Sequence, residues 1–409
     1  MSFEAVFESC AGLDVHKKSV EVTVRWLRKD GRPHSQSKSF GTFTEQLVEM
    51  REWILSKGVT HVAMESTGVY WKPVLNCLES HVEIWLVNAR HVKNVPGRKT
   101  DMGDSQWLAK LMQAGLLEPS FIPDRDIRNL RDLTRQRSQF VSEKTRAINR
   151  IHKVLEDANI KLSSVATDIA GKSGRLMLQA LINSGDSPEK LADLAQGRLR
   201  KKIPELKLAL QGFVSEHHRY MLNAHYRHLL QLEEFLEEFD ARIRNHLSSN
   251  RPQIESLDKI PGINERGAEV ALAEIGTDMD QFPSENHLAS WVGICPGNNQ
   301  TGGKNKSGRT TKGSSWLRAM LIQAAWAASR TKESFFGAKY RRLVKRRGKK
   351  RALVAVAHAL LKTVYHVLKG SEYRDLGADY YDKLDPAGTT KYHVRRLESL
   401  GHNVALTPA

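Results

Sequence analysis

Cysteine is scarce in this chain, and the three present, Cys10, Cys77 and Cys295, stand far apart. They offer no C-x-x-C pair for zinc and no even-numbered framework for disulfides, so reduced thiols in a cytoplasmic protein are expected. Long apolar runs are missing as well. No stretch of about eighteen apolar residues predicts a membrane span. The opening MSFEAVFESC lacks the basic region and apolar segment of a secretory signal, and none is expected. Acidic residues almost vanish from one segment: between Thr301 and Gly370, eighteen Lys and Arg face a single acid, Glu333. That block carries as much charge as the whole chain, +17, which leaves the remainder near neutral. A single basic run is commonly a solvated face. A whole net charge gathered in one block predicts a polyanion-binding surface, with nucleic acid as its partner.

At 409 residues the chain exceeds one ordinary core, and two or three domains are expected. Near the N-terminus, Val20, Val22, Val24 and Trp26 alternate as a half-buried strand does. Ala11–Val15 reads as its partner, joined by a tight turn near His16-Lys17-Lys18. Asp14 then projects from an otherwise apolar strand, where a buried carboxylate is costly unless paired or metal-bound. A third strand is expected around Ser35–Phe40, a helix over Thr42–Ser56, and a strand ending at Glu65. The carboxyl end of such a strand is where α/β sheets hold ligands. A helix over Val69–Leu78, a strand over Val82–Val87 and a helix starting near Asp104 complete the order expected of a ribonuclease-H-like sheet. Asp101 and Asp104 stand three apart, where the Pro/Gly loop Val95–Arg98 gives way to helix. Alone, such a pair is a helix cap or half of a metal site. With Asp14 and Glu65 at sheet positions that disfavour acids, the metal half-site is the better reading, and the cap survives within it.

The middle of the chain reads as helix. Asp126–Asp157 is basic, with an imperfect apolar stripe. A long amphipathic helix is expected over Pro204–Ser248, where Leu229, Leu232, Leu236, Phe239 and Ile243 follow coiled-coil seam spacing, for packing within the chain or between protomers. His217, His218, His225 and His228 on that helix read as surface or seam residues rather than metal ligands. Gly171-Lys172-Ser173 is not a nucleotide loop, because Ala166 stands where the first glycine is required and no strand leads in.

Arg251-Pro252 opens a different domain. Leu257–Ile263, with Pro261-Gly262, reads as a helix-hairpin-helix whose next helix N-terminus suits a phosphate, or as an αα-hairpin that merely packs. A Gly/Asn-rich loop is expected over Trp291–Lys304, and Lys304, Lys306, Arg309 and Lys312 are placed to neutralise phosphates. The densest basic run contributes Arg341, Arg342, Arg346, Arg347, Lys349, Lys350 and Arg351, then passes into an apolar helix over Ala352–Leu368. The tail after Gly370 has aromatics and a short helix near Val394–Leu400, without a function read from it.

The spans GLDVHKKSVEV, AMESTGVYW and KTDMGDSQWLAKL resemble the D-E-D-D motifs of the RuvC-like transposases and invertases, the insertion-sequence family associated with bridge RNA that includes the Piv-type invertases. The resemblance implies an α/β-plus-α architecture. A RuvC-like catalytic domain of the ribonuclease H fold would occupy 1–125, a helical and coiled-coil region 126–250, and a mostly helical transposase domain 251–409. It implies Mg²⁺ or Mn²⁺ on Asp14, Glu65, Asp101 and Asp104. It also implies a hydroxyl from the C-terminal loop that attacks DNA, held by a serine in the family and by Thr301 here, with Ser307 as the fallback. DNA, a non-coding guide RNA and further copies of the chain, as a dimer or tetramer, are the implied partners, in the bacterial cytoplasm at the nucleoid. A RuvC-like Holliday-junction nuclease and a catalytically silent nucleic-acid-binding protein are the alternatives.

Overall fold

Alternation in Ser-Val-Glu-Val-Thr-Val builds an inner strand of a five-stranded sheet. The computed structural model describes residues 6–66, 68–88, 92, 103–183, 186–296, 299–301, 304–307 and 309–407, the segments 299–301 and 304–307 by their backbone. These fall into two units, Met1–Ile122 and Pro123–Ala409.

The first unit holds β1 (Ser9–Val15), β2 (Ser19–Leu27), β3 (Pro33–Gly41), α1 (Thr44–Ser56), β4 (His61–Glu65), α2 (Trp71–Leu78), β5 (Glu83–Val87) and α3 (Asp104–Gln113). The sheet order is β3-β2-β1-β4-β5. The first three strands run antiparallel, and β4 and β5 lie parallel to β1. The period of two sorts the strands into faces. Leu13, Val20, Val22, Val24, Val62 and Met64 point to a core closed by Leu47, Met50 and Ile54 of α1 and Val74, Leu75 and Leu78 of α2. Burying each such side chain contributes about 1.5–3 kcal/mol. Cys10, Ala63 and Val87 point the other way, against Trp107, Leu108, Leu111 and Met112 of α3. Gly12 lets that helix sit down on the sheet: a Cβ there would lie 2.3 Å from the Ser105 carbonyl oxygen and 2.4 Å from the Ala109 nitrogen.

Among the described residues, the second unit is helical apart from one small hairpin. Its longest helices are α4 (Arg125–Asp157) and α9 (Glu216–His246). They run antiparallel, as Arg137–Asp240, Lys144–Glu233 and Asp157–His218 pairs along them require. Leu229 and Leu232 are buried among Ala147, Ile151 and Leu155, and Phe140 packs on Phe235 and Phe239. The seam is thus filled from within the chain. Four short helices, α5 (Leu162–Val165), α6 (Lys172–Asn183), α7 (Pro188–Asp193) and α8 (Ile203–Ala209), complete this core.

The long helix expected from Pro204 is two. The chain breaks after Ala209 because Gly212 and Phe213 cross the end of α4, where Phe213 donates to the Ala158 carbonyl at 2.8 Å. Ser215 then caps α9 by accepting from the His218 amide. The preceding helix ends at His246, and Arg251-Pro252 begins the next one. Proline occupies the first turn of α10 (Arg251–Asp258), where its missing N–H costs nothing.

Beyond α10 follow α11 (Glu265–Ile275), α12 (Glu285–Val292), β6 (Asn299–Thr301), β7 (Lys304–Ser307) and α13 (Ser315–Ala328). The basic run is itself helical, α14 (Phe335–Arg347), and ends at Gly348 with φ 78° before α15 (Lys349–Leu368). Ala352, Val356, Leu360, Leu361 and Val364 of α15 form the local core. Among the described residues α15 is also the one helix long and apolar enough to cross a membrane, but half of that apolar window is buried within its own unit, as in a core helix. The tail carries α16 (Tyr380–Leu384) and α17 (Pro386–Glu398), the latter starting well before the expected Val394. Its start is set by Asp385, whose carboxylate accepts the Gly388 amide at 2.9 Å.

Candidate active site

Parallel pairing of β1 with β4 puts Gly12 opposite Ala63 and Leu13 opposite Met64. The next residues are Asp14 and Glu65, side by side at the carboxyl ends of neighbouring strands. Both alternate with residues that face α3, Gly12 and Ala63, and so share that face. The helix runs back along β1. Ala109 takes the Cys10 thiol, Ser105 Oγ lies 2.9 Å from Thr23 Oγ1, and Asp104 at the first helical position reaches the strand end that carries Asp14.

Burial is the largest influence on Asp14 and raises its pKa from the ordinary value. His16, with Nε2 3.2 Å from Oδ2, opposes this, while the carboxylates of Asp104 and Glu21 add to it. The site therefore gathers carboxylate charge in a partly desolvated place, with the His16 imidazole beside it, and carboxylate oxygens suit a hard divalent cation. Asp101 lies outside the described residues. Among the described residues, no three His, Cys, Asp or Glu side chains form a ready metal cage.

Glu21 is the site residue that sequence reading missed. It pairs with Asp14 across β1 and β2, and its carboxylate accepts the Ser39 hydroxyl. The signal was available, because the alternation that sends Val20, Val22 and Val24 to one core sends Glu21, Thr23 and Arg25 to the α3 face.

In the second unit, Thr301 and Ser307 lie on one hairpin. Thr301 pairs with Lys304 at its tip, and Ser307 pairs with Asn299 nearer its base. Pro296 and Thr310 bridge below. The base is pinched, since a Cβ on Gly313 would meet the Val292 carbonyl carbon at 2.3 Å and the Gly293 nitrogen at 2.4 Å. Ser314 follows and caps α13, and its hydroxyl also donates to Glu274 at 2.9 Å. Glu274 is fully buried and takes both arms of Arg135, at 2.7 and 2.9 Å. The hairpin is thereby tied to α11 and α4.

The expected nucleic-acid contacts separate into three groups. Arg309, Lys312, Arg341, Arg342, Arg346, Arg347, Lys349, Lys350 and Arg351 are exposed, as a polyanion surface requires. Lys304 and Lys306 are described in backbone alone, on β7. Gly262 has a packing duty. With φ 90° it turns the chain against α13, where a Cβ would lie 2.2 Å from the Ala324 carbonyl oxygen. The next helix is capped by Asn264, which accepts the Gly267 amide at 2.9 Å.

Two family models match this chain. The DEDD transposase model of the IS110 group covers residues 11–160, and so contains Asp14, Glu65, Asp101 and Asp104. The transposase model of the IS116/IS110/IS902 family covers residues 254–341, from α10 through the hairpin to α14. The chain belongs to the IS110 family of transposases. Similar chains carry the same kind of name. One from Pseudomonas aeruginosa, named as a family 20 transposase, is 25% identical over 273 residues, which is 66% of this chain and 71% of that one. A chain of Sinorhizobium fredii bearing the transposase name y4qE is 25% identical over 229 residues, 56% of this chain and 47% of its own length. The first match of this IS110-family transposase spans the carboxylate face and α4, and the second spans the hairpin and the beginning of the basic surface.

Proposed function

We propose that this protein cuts and rejoins DNA strands for an insertion sequence, using the RuvC-like carboxylate face of its first unit and a hydroxyl of its second. The reading is supported by Asp14 and Glu65, which follow paired residues of β1 and β4 on the α3 face, and by Asp104, whose charge acts on Asp14 from the start of α3. A half-buried strand acid such as Asp14 is disfavoured unless it is paired or holds a cation, and the single His16 contact leaves its second oxygen for a cation in this reading. Mg²⁺ or Mn²⁺ held by Asp14, Glu65, Asp101 and Asp104 would supply neutralisation of phosphate charge and activation of the attacking oxygen.

The chain's own residues would then do the following. Exposed cations of α14 and α15 bind the DNA backbone. The Glu274–Arg135 pair and the pinched base hold the hairpin. The Thr301 hydroxyl attacks the scissile phosphorus, its proton leaving to a carboxylate or to water. One phosphorus–oxygen bond to the departing strand breaks as one to threonine forms, and the departing strand leaves as a hydroxyl. Attack by another strand's hydroxyl reverses the exchange without hydrolysis. Two duplexes must meet for this, so more than one copy of the chain takes part. Guidance by a non-coding RNA is the finer part of the reading, and action at the bacterial nucleoid accompanies it.

The test is a covalent protein–DNA adduct trapped from labelled substrate with Mg²⁺. Wild-type protein yields the adduct, and Thr301→Ala does not. An adduct of normal yield in Thr301→Ala transfers the role to Ser307. Cleavage to free ends with no adduct in any variant replaces this reading with that of a RuvC-like nuclease. Sequencing RNA that co-purifies with the protein tests the guide.

A further inference from the structure

The tail lies beyond both matched segments, the second of which ends at residue 341, yet it folds onto the basic helix α14. Asp375 accepts the Phe335 amide at 2.8 Å. The Phe335 ring meets Tyr380 edge-on at 5.1 Å and stacks with Tyr381 at 5.8 Å. Arg342 covers Tyr381 with 4.6 Å between guanidinium and ring centre. Together α14, α16 and α17 enclose an open groove of about 680 Å³. That lies within the roughly 300–1,000 Å³ of ordinary ligand sites. Arg341, Arg342 and Arg346 line one side, and Tyr381, Tyr392 and His393 line the tail side.

Two features of the lining point to its occupant. Tyr392 is 57% exposed on a helix that buries none of its residues, so it is not there to fill a core. Asp382 and Asp385 also face the groove, and Asp385 is already engaged in capping α17. Carboxylates repel phosphates but accept from the exocyclic amino groups of bases. An arginine side with an aromatic and acidic side opposite therefore distinguishes the backbone of a strand from its bases.

We propose that this groove binds a single-stranded segment of nucleic acid, phosphates along Arg341, Arg342 and Arg346 and an unpaired base on the Tyr392 ring. Paired bases in a duplex bury their faces in the stack and cannot use such a ring, whereas single-strand sites join a cationic track to aromatic platforms. The inference rests on the nucleic-acid reading of the basic surface and adds the tail's part in it.

The test is fluorescence anisotropy of the full-length protein with labelled oligo-dC and oligo-C of about twelve nucleotides, within the 4–16 of known single-strand sites and with an amino group on every base, and with a blunt duplex of mixed sequence. Tyr392→Ala is expected to weaken single-strand binding about tenfold and to leave duplex binding unchanged, while Tyr392→Phe keeps both. Preference for oligo-C supports the groove and makes its occupant RNA; preference for oligo-dC supports it and makes the occupant DNA. Unchanged single-strand binding in Tyr392→Ala, or an equal loss for strand and duplex, overturns the proposal. Wild-type protein that binds neither strand nor duplex overturns instead the nucleic-acid reading beneath it. An unchanged melting temperature in Tyr392→Ala, expected for an exposed side chain, shows that the effect is not misfolding.

Discussion

Replacing Gly12 with alanine perturbs the candidate site without touching any of its acids. The added methyl would lie 2.3 Å from the Ser105 carbonyl oxygen, 2.4 Å from the Ala109 nitrogen and 2.8 Å from Leu108 Cβ. Two of these neighbours are helix backbone and have no rotamer to retreat into. Ordinary contact begins at 3.4 Å, so α3 must withdraw by about 1 Å. Overpacking of this kind costs about 1–3 kcal/mol. The displaced helix carries Asp104 at its first position, and Asp14 is two residues beyond the perturbed one. A misplacement of about 1 Å in reacting groups costs about 100-fold in rate. Urea denaturation should show the modest loss of stability, anisotropy should show unchanged duplex affinity, and strand cleavage should fall by about two orders of magnitude. Wild-type cleavage in a stably folded Gly12→Ala protein would refute the claim that α3 against β1 sets the geometry of the acids.

Burial pushes the Cys10 thiol up to about 12 from an ordinary 9, so native protein should leave it unmodified by a disulfide reagent at pH 8 until it is unfolded. Because the folded thiol keeps its proton while the unfolded one loses it, Cys10 should cause stability to fall as pH rises from 9 towards 12, a slope that Cys10→Ala removes in denaturation curves. Glu274→Gln leaves Arg135 without its charge partner beside a fully buried side chain. Chemical denaturation of the second unit should register a loss of about 3–5 kcal/mol, and Arg135→Gln with Glu274→Gln should lose less than the sum of the two. Arg346→Gln should weaken duplex binding at all sequences and flatten the salt dependence of log K by about 0.9 if one phosphate contact is removed, as read by anisotropy across a salt series.

The sheet was legible because its signals are local. Alternation at Val20, Val22 and Val24 defines β2, and the apolar run ending at Glu65 defines β4 with its acid at the exit. Asp104 begins a helix because an acid in the first turn suits the helix dipole. Contacts distant in sequence left no such mark. Nothing around Gly12 announces Ser105 and Ala109, and nothing near Glu274 announces Arg135 and Ser314. The break between α8 and α9 was missed for the same reason, since Gly212 and Phe213 are held by the end of α4. The tail was read too sparsely because its helices are exposed and amphipathic patterning is weak there; their placement comes from Asp375, Tyr380 and Tyr381 on Phe335.

The central claim is that Asp14 and its neighbours form the catalytic centre, and Asp14→Asn tests it most directly. The change keeps the shape and removes one charge from a site where burial and the Asp104 carboxylate already disfavour it. The measurement is cleavage and strand exchange of the insertion sequence's own end DNA, titrated with Mg²⁺ and Mn²⁺, beside wild-type protein. The account predicts no cleavage at any metal concentration, with duplex affinity and folding retained. Full metal-dependent strand exchange in Asp14→Asn would contradict it.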